Sequence, residues 1–175
     1  IKLQLDGKLL IGGGYYSYNR VLRNKLSRLN NNGEIDNSFN IGTGFNEEIE
    51  TIEVTPNGKI FVGGQFTNFN GNSQNRLIKL NENGTIDNSF NIGNGFNENV
   101  LCIALQQDGK ILVGGWFTQF NGANKNFIAR LNSDGSLDSS FNIGTGFNGE
   151  IRKIIIQADG KIIIGGYFSN YNGVV

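Results

Sequence analysis

The chain has 175 residues, and its 15 Lys and Arg side chains balance its 15 Asp and Glu side chains, which gives a formal net charge of zero at pH 7. Like charges occur only in short runs, so the sequence carries neither the basic footprint of a nucleic-acid-binding protein nor a polybasic membrane patch. No apolar stretch approaches the roughly 20 residues of a membrane-spanning helix. We therefore expect no nucleic-acid partner and no transmembrane segment.

One phrase occurs four times, and each copy begins 51 residues after the one before it. The phrase consists of Asp-Gly-Lys or Asn-Gly-Lys, three apolar residues and Gly-Gly, and it occupies 6–13, 57–64, 108–115 and 159–166. A period near 50 residues is typical of solenoids, propellers and arrays. We therefore count the chain in repeats, namely a partial blade at 1–46, full repeats at 47–97 and 98–148, and a partial blade at 149–175.

The first predicted element of the repeat 98–148 is a β-hairpin. An apolar run at 100–105 is followed by Asp108-Gly109 and by a second apolar run at 111–113. Asp-Gly between two apolar runs predicts a hairpin with a primed turn, because both residues tolerate positive φ. The second run is apolar at consecutive residues, which indicates a strand buried on both faces, as in sheets that stack face to face.

The second half of the repeat contains paired aromatic residues and a third strand. Phe117 and Phe120 recur as aromatic residues in the neighbouring repeats, and we expect them to cap the core beneath a loop. A third strand is predicted at 127–131, and the segment 142–148 is either an outer fourth strand or an ordered loop. No helix is predicted, because apolar residues nowhere recur at helical spacing between capping signals.

A unit of three or four strands cannot bury two apolar faces alone, so neighbouring units must stack on it. Antiparallel strands with Gly-rich turns in repeats of this length are typical of propeller blades. The predicted fold class is therefore all-β, a β-propeller built of 51-residue antiparallel blades of three to four strands, of which about three and a half are present. The chain lacks Met and starts inside a repeat, so we expect an excerpt of a longer protein. The remaining blades of the ring would come from the same longer chain or from a second copy.

Residues for common catalytic and metal sites are scarce. His is absent and Cys102 is the single cysteine, so no Ser-His-Asp or Cys-His arrangement and no zinc site of His and Cys can be drawn. Cys102 lies within the apolar run 100–105, which predicts a small buried apolar residue. We predict that the chain is not an enzyme and has no catalytic residue, no cofactor and no metal.

The acidic residues Asp36, Asp87 and Asp138 each follow a turn of the form Asn-x-(Asn or Asp)-Gly, which raises the question of calcium. A calcium loop of the EF-hand type needs Gly at its sixth position and a distant bidentate Glu, whereas Gly stands fourth here and no such Glu follows. Turn side chains that bond to nearby backbone explain the pattern better. Identical placement in every repeat also favours a structural role.

A binding site is expected where the repeats differ, because a scaffold keeps its frame and varies its contacts. The position after each Gly-Gly pair is occupied in turn by Gly14, Gln65, Trp116 and Tyr167, and the loop that leads to Phe127 also varies between repeats. Trp116 and Tyr167 could stack on a sugar or a peptide, or they could fill gaps between blades. The predicted ligand-binding residues are Gln65, Trp116, Phe127 and Tyr167.

The amino-acid sequence of the repeat also resembles that of a known family. The runs 127–141 and 103–115 are similar to the delta-60 repeat, the unit of the DUF5122 β-propellers, and the resemblance covers the whole chain. It implies a bacterial propeller that is generally secreted or attached to the surface. The Asn- and Ile-rich sequence is similar to that of Bacteroidota members, in which such arrays often precede a C-terminal sorting domain for type IX secretion. The family has no agreed catalytic residues to carry over.

These observations predict a noncatalytic scaffold that lies outside a bacterial cell or on its surface, where it binds another protein or a surface glycan and serves adhesion. Two alternatives stay open at this point. The propeller could belong to a larger secreted enzyme whose active site lies outside this segment. It could also be a purely structural spacer of an adhesin, and that alternative predicts no ligand at all.

Overall fold

The computed structural model describes all residues from Ile1 to Val175 and divides into two compact units. The first unit comprises 1–88 and the second unit comprises 89–175. Every regular element is a β-strand and every strand pair is antiparallel, so the all-β prediction is confirmed. The structure contains no helix that could span a membrane.

The strands recur at the same places in successive repeats. The first unit contains β1 (Lys2–Leu3), β2 (Leu9–Gly12), β3 (Ser17–Tyr18), β4 (Val21–Leu22), β5 (Leu26–Leu29), β6 (Ile49–Val54), β7 (Ile60–Gly64), β8 (Asn68–Phe69), β9 (Asn72–Ser73) and β10 (Leu77–Leu80). The second unit contains β11 (Val100–Leu105), β12 (Ile111–Gly115), β13 (Gln119–Phe120), β14 (Ala123–Asn124), β15 (Ile128–Leu131), β16 (Glu150–Ile156) and β17 (Ile162–Tyr167).

Three sheets have the same three-stranded order, β1-β2-β5, β6-β7-β10 and β11-β12-β15, while β16 and β17 form a two-stranded sheet. The strand with consecutive apolar residues is central in each three-stranded sheet, and Ile111, Leu112 and Val113 are fully buried in β12. A central strand is covered on both faces by neighbouring layers, which is what the unbroken apolar run requires. The predicted hairpin and the predicted burial of its second strand are therefore confirmed.

The turn of this hairpin differs from the prediction. Gly109 has a φ of 83°, whereas Asp108 is not among the residues with positive φ. Gly109 N–H donates to the Gln106 carbonyl oxygen at 3.1 Å, and Gln106 N–H donates to the Lys110 carbonyl oxygen at 2.9 Å. This is a type I turn followed by a glycine bulge. The prediction of a primed turn was wrong, because Asp-Gly fits either turn and only the backbone distinguishes them.

The later parts of the repeat are shorter than predicted. The third strand begins at Ile128, since Phe127 has a φ of 67° and lies outside β15. The small hairpin formed by β13 and β14, with two residues in each strand, was not predicted. The segment 142–148 is a loop that carries a single bridge, between Phe147 and Tyr171. Each complete blade therefore has a three-stranded sheet and a small hairpin, with no outer fourth strand.

The core of each unit lies between the faces of two neighbouring sheets. In the second unit, Cys102, Leu112 and Ile128 of one sheet form a cluster with Ile151 and Ile154 of the next sheet. An equivalent cluster in the first unit includes residues of β2, β5, β6, β7 and β10. The prediction that neighbouring repeats stack to bury their apolar faces is confirmed within each of the two compact units.

A glycine at the end of the central strand allows this close approach of the two sheets. A Cβ atom added at Gly114 would lie 2.7 Å from Ile151 Cγ2 and 2.7 Å from Cys102 Sγ. At the equivalent Gly12 in the first unit it would lie 2.6 Å from Ile49 Cγ2. Nonbonded carbon atoms normally remain about 3.5–4.0 Å apart, so only glycine fits here. The first residue of the Gly-Gly pair is thus fixed by packing between neighbouring sheets.

Candidate ligand-binding surface

The acidic residue of each repeat belongs to the frame, by which we mean the set of contacts that recurs in successive repeats. Asp138 Oδ2 accepts hydrogen bonds from Lys110 Nζ at 2.9 Å and from Arg130 Nε at 2.7 Å. Asp138 Oδ1 accepts from the backbone N–H of Ser140 at 3.0 Å and from its hydroxyl group at 2.7 Å. The Lys110 ammonium group and these Ser140 hydrogen bonds hold the pKa of Asp138 well below its ordinary value.

The same arrangement occurs in the two preceding repeats, where Asp36 pairs with Lys8 and Arg28 and where Asp87 pairs with Lys59 and Lys79. These carboxylates have the role in the turn that the sequence indicated. Their ion pairs with Lys and Arg side chains were not predicted. Lys and Arg occupy the positions beside the carboxylates that a cation would need. No group of three or more His, Cys, Asp and Glu side chains is placed to hold a metal ion.

Buried groups of three aromatic rings form a second part of the frame. The ring of Phe96 lies 4.3 Å from that of Phe117 and 4.8 Å from that of Phe120, measured between centroids. Phe117 and Phe120 are fully buried, which confirms their predicted place in the core. Phe96 was not predicted to join them, although Gly-Phe-Asn recurs before the second, third and fourth hairpins. The equivalent clusters are Phe45 with Phe66 and Phe69, and Phe147 with Phe168 and Tyr171.

The recurrent asparagine of Gly-Phe-Asn fixes the loop that follows each central strand. Asn97 Oδ1 accepts hydrogen bonds from the backbone N–H groups of Thr118 at 3.0 Å and Gln119 at 2.9 Å. Asn46 and Asn148 make the same pair of contacts in their repeats. Much of the asparagine content is thereby explained by loop structure, because the amide oxygen satisfies backbone donors that the sheet leaves unpaired.

Cys102 is also part of the interior. Its side chain is buried in the apolar cluster of the second unit, and burial raises the pKa of its thiol group to about 12. A thiol with a raised pKa is a poor nucleophile at neutral pH, since the thiolate is the reactive form. The prediction of a small buried apolar residue at this position is confirmed.

The positions predicted to bind a ligand lie where the central strand of each hairpin ends. Trp116 N–H donates to the Asn99 carbonyl oxygen at 2.9 Å, and Gln65 N–H donates to the Glu48 carbonyl oxygen at 2.8 Å. Tyr167 is paired with Glu150 at the corresponding place. These backbone contacts fix the position, and the side chains diverge. Trp116 is 54% exposed and Tyr167 is 74% exposed.

Two charged residues join Tyr167 in the second unit. Arg152 Nε donates to Glu150 Oε1 at 2.7 Å, and the guanidinium carbon of Arg152 lies 5.0 Å from the centre of the Tyr167 ring. Glu150 is only 6% exposed. Its second carboxylate oxygen, Oε2, is buried and accepts no hydrogen bond from the protein. Sequence reasoning did not single out Glu150 or Arg152.

The equivalent position in the first unit indicates on which side of the strand the Trp116 side chain leaves the backbone. Two repeats earlier, Gly14 corresponds to Trp116 and Glu48 corresponds to Glu150. A Cβ atom added at Gly14 would lie 2.5 Å from Glu48 Oε1. In the second unit β12 also packs against β16, and from this correspondence we infer that the Trp116 side chain leaves the backbone on the side of Glu150. We name Trp116, Glu150, Arg152 and Tyr167 the aromatic cluster.

The other two predicted residues have different surroundings. Phe127 is half-buried and packs against the apolar cluster of the second unit, so it supports the core. Gln65 is half-buried, and its Nε2 donates to Glu50 Oε1 at 2.7 Å. Trp116 and Tyr167 both belong to the second unit, whereas Phe127 is half-buried against the core and Gln65 belongs to the first unit.

Asparagine-lined grooves also recur, one in each unit, and they are part of the frame. The groove in the second unit includes Asn91, Asn121 and Ser136. Asn91 Oδ1 accepts from Gly93 N–H at 2.8 Å, and Asn121 Oδ1 accepts from Gly95 N–H at 3.0 Å. Both of these amide oxygens are therefore already occupied. The aromatic cluster differs, because it combines exposed aromatic faces with an unpaired carboxylate oxygen.

Comparison with known proteins gives one match. A family model described as a domain of unknown function (DUF5122) β-propeller matches residues 4–39, 55–90, 106–141 and 157–175. Together these segments cover most of the chain. No curated protein and no solved structure was found to be similar to it.

Proposed function

The chain belongs to the DUF5122 β-propeller family, and from this premise we propose that it is a noncatalytic scaffold whose blades present a binding surface to a protein or a glycan. The observation that supports this proposal is the contrast between neighbouring residues at the end of β12. Phe117 is fully buried in the frame, whereas Trp116 beside it is 54% exposed. Large exposed aromatic side chains on a rigid frame are typical of recognition surfaces.

The titratable groups of the frame support a role without catalysis. The carboxylates of Asp36 and Asp138 are held in ion pairs, and hydrogen bonds keep the pKa of each below its ordinary value. A general acid or base at neutral pH needs the opposite kind of environment, one that moves its pKa towards 7. These carboxylates therefore favour structure over acid–base chemistry.

An extracellular or cell-surface location is part of the same proposal. It rests on the resemblance of the repeat to the delta-60 repeat sequence, which implies export and, for Bacteroidota-like members, type IX secretion. The test is to treat intact producing cells with a protease and to detect the chain by antibody in the medium and on the cells. Release of the chain into the medium, or its digestion on intact cells, is expected. Full protection until the cells are lysed would contradict the location.

Binding is tested with the purified chain on arrays of glycans and of extracellular proteins. We expect specific binding to members of one array, and we expect Trp116→Ala/Tyr167→Ala to abolish it. Tyr16→Ala is the matched control, because Tyr16 is an exposed aromatic residue of the first unit, at 67% exposure. Circular dichroism spectra would verify that both variants fold. Binding that the double variant retains in full, or no specific binding to either array, would contradict the proposed function.

A further inference from the structure

The aromatic cluster has no counterpart in the first unit, although the backbone there is equivalent. Two repeats before Trp116, Arg152 and Tyr167, the chain has Gly14, Glu50 and Gln65, and only the glutamate at Glu48 and Glu150 is kept. Gly14 offers no side chain, and the Gln65 amide group already donates to Glu50. Two aromatic faces and a cation have thus replaced a glycine and a closed polar pair. From this contrast we infer a ligand site specific to the second unit.

We propose that the aromatic cluster binds a neutral saccharide, with a sugar ring stacked on Trp116 and a sugar hydroxyl group donating a hydrogen bond to Glu150. This inference rests on the proposed function and names the ligand class of its binding surface. A sugar ring presents an apolar face of C–H groups with hydroxyl groups at its rim. Its recognition therefore needs a flat apolar surface beside a few well-placed polar groups.

The carboxylate of Glu150 supplies the acceptor. Glu150 is 6% exposed, its Oε1 is held by Arg152, and its Oε2 accepts no hydrogen bond from the protein. A buried acceptor without a donor is costly, because it has lost its hydration without gaining a partner. A ligand hydroxyl group that reached Oε2 would remove that cost.

The charges of the cluster favour a neutral ligand. The Arg152 guanidinium group forms an ion pair with Glu150 at 2.7 Å and so offsets the negative charge of the carboxylate. A cationic ligand would meet Arg152, and an anionic ligand would meet Glu150. The pair offers both a donor and an acceptor, which is what two adjacent hydroxyl groups of a sugar require.

The exposed aromatic faces supply the stacking surface. Tyr167 is 74% exposed, and the Arg152 guanidinium group lies over its ring at 5.0 Å, which orients it. Phe127, half-buried against the core, takes the position that Lys25 and Arg76 occupy in the first unit. An apolar residue replaces a cation there, and the surroundings of Trp116 become less polar. The replacements at Trp116, Phe127 and Tyr167 all increase the aromatic and apolar character of this region.

Tryptophan fluorescence tests the proposal directly, because Trp116 is the single tryptophan of the chain. The purified chain is titrated with cellohexaose, maltohexaose, mannohexaose and xylohexaose while the emission of Trp116 is followed. We expect a saturable change with at least one of these neutral hexaoses. Tyr167→Ala and Glu150→Gln should each weaken the response by about tenfold, the equivalent of roughly 1.4 kcal/mol. Tyr16→Ala should leave it unchanged.

The outcomes separate this inference from the proposed function. No saturable change with any of the four hexaoses overturns the saccharide assignment, as does a response that Tyr167→Ala and Glu150→Gln leave unaltered. A saturable response to an octalysine peptide in place of the hexaoses would assign the cluster to a cationic protein ligand, and the binding scaffold would still stand. Failure of every probe together with failure of both arrays would remove the scaffold as well.

Discussion

The first and second units share a frame and differ at the ends of their central strands. In both units an aspartate, Asp36 or Asp138, forms ion pairs with a lysine and an arginine. In both, a recurrent asparagine also fixes the loop that follows a central strand. At the strand end, Gly14 in the first unit corresponds to the exposed Trp116 in the second. The comparison teaches that repeated contacts restrict the frame, whereas the strand ends are free to change and can carry recognition.

The largest effect is expected from breaking the frame beside the strand end. Phe117→Ala removes a fully buried ring that packs 4.3 Å from Phe96. The cavity and the lost apolar burial should lower the free energy of unfolding by about 3–5 kcal/mol. Urea unfolding followed by circular dichroism measures it. A loss below about 1 kcal/mol would place Phe117 outside the frame.

A smaller effect is expected at the glycine between the sheets. A Cβ atom at Gly114 would lie 2.7 Å from Ile151 Cγ2. Gly114→Ala should therefore cost about 1–3 kcal/mol because of overpacking. The same urea experiment measures this loss. A variant as stable as the wild type would mean that sheet packing does not explain the Gly-Gly pair.

The ion pairs of the frame should appear as a dependence of stability on pH. The pKa of Asp138 is below its ordinary value of 3.8 in the folded chain, so its stabilisation is complete above that value and is lost as the pH falls below it. The stability difference between the wild type and Asp138→Asn should therefore be larger at neutral pH than in acid. Asp36→Asn should behave alike in the first unit, where the pKa is also lowered.

Unfolding midpoints of the wild type and both variants at several pH values between about 2 and 7 measure this effect. A difference that stays constant over the whole range would contradict the role of the carboxylates. A pH-dependent difference for Asp138→Asn alone would mean that the frame of the two units is not equivalent.

Sequence periodicity was sufficient to predict the hairpins, because Ile111, Leu112 and Val113 form an unbroken apolar run that only a doubly covered strand explains. It could not predict the turn type, since Asp108-Gly109 satisfies two turn geometries. It also missed the small hairpin of β13 and β14, whose strands of two residues are too short to leave a periodic signal. Local patterns therefore predicted the sheets better than the connections.

The candidate site was predicted only in part. Trp116 and Tyr167 were found because they vary at a fixed position of the repeat. Glu150 and Arg152 were missed, since their relation to Tyr167 depends on the pairing of β16 with β17. A comparison of positions two repeats apart would have given the signal, because the glutamate at Glu48 and Glu150 is kept while its neighbours change.

The central claim is that the exposed aromatic residues serve recognition and not the packing of blades. The most direct test measures both properties on Trp116→Ala/Tyr167→Ala, with urea unfolding for stability and calorimetric titration with the hexaoses for binding. We predict that the free energy of unfolding stays within about 1 kcal/mol of the wild-type value, as for surface substitutions, while hexaose binding is lost. A loss of stability as large as that expected for Phe117→Ala, or unchanged hexaose binding, would contradict the account.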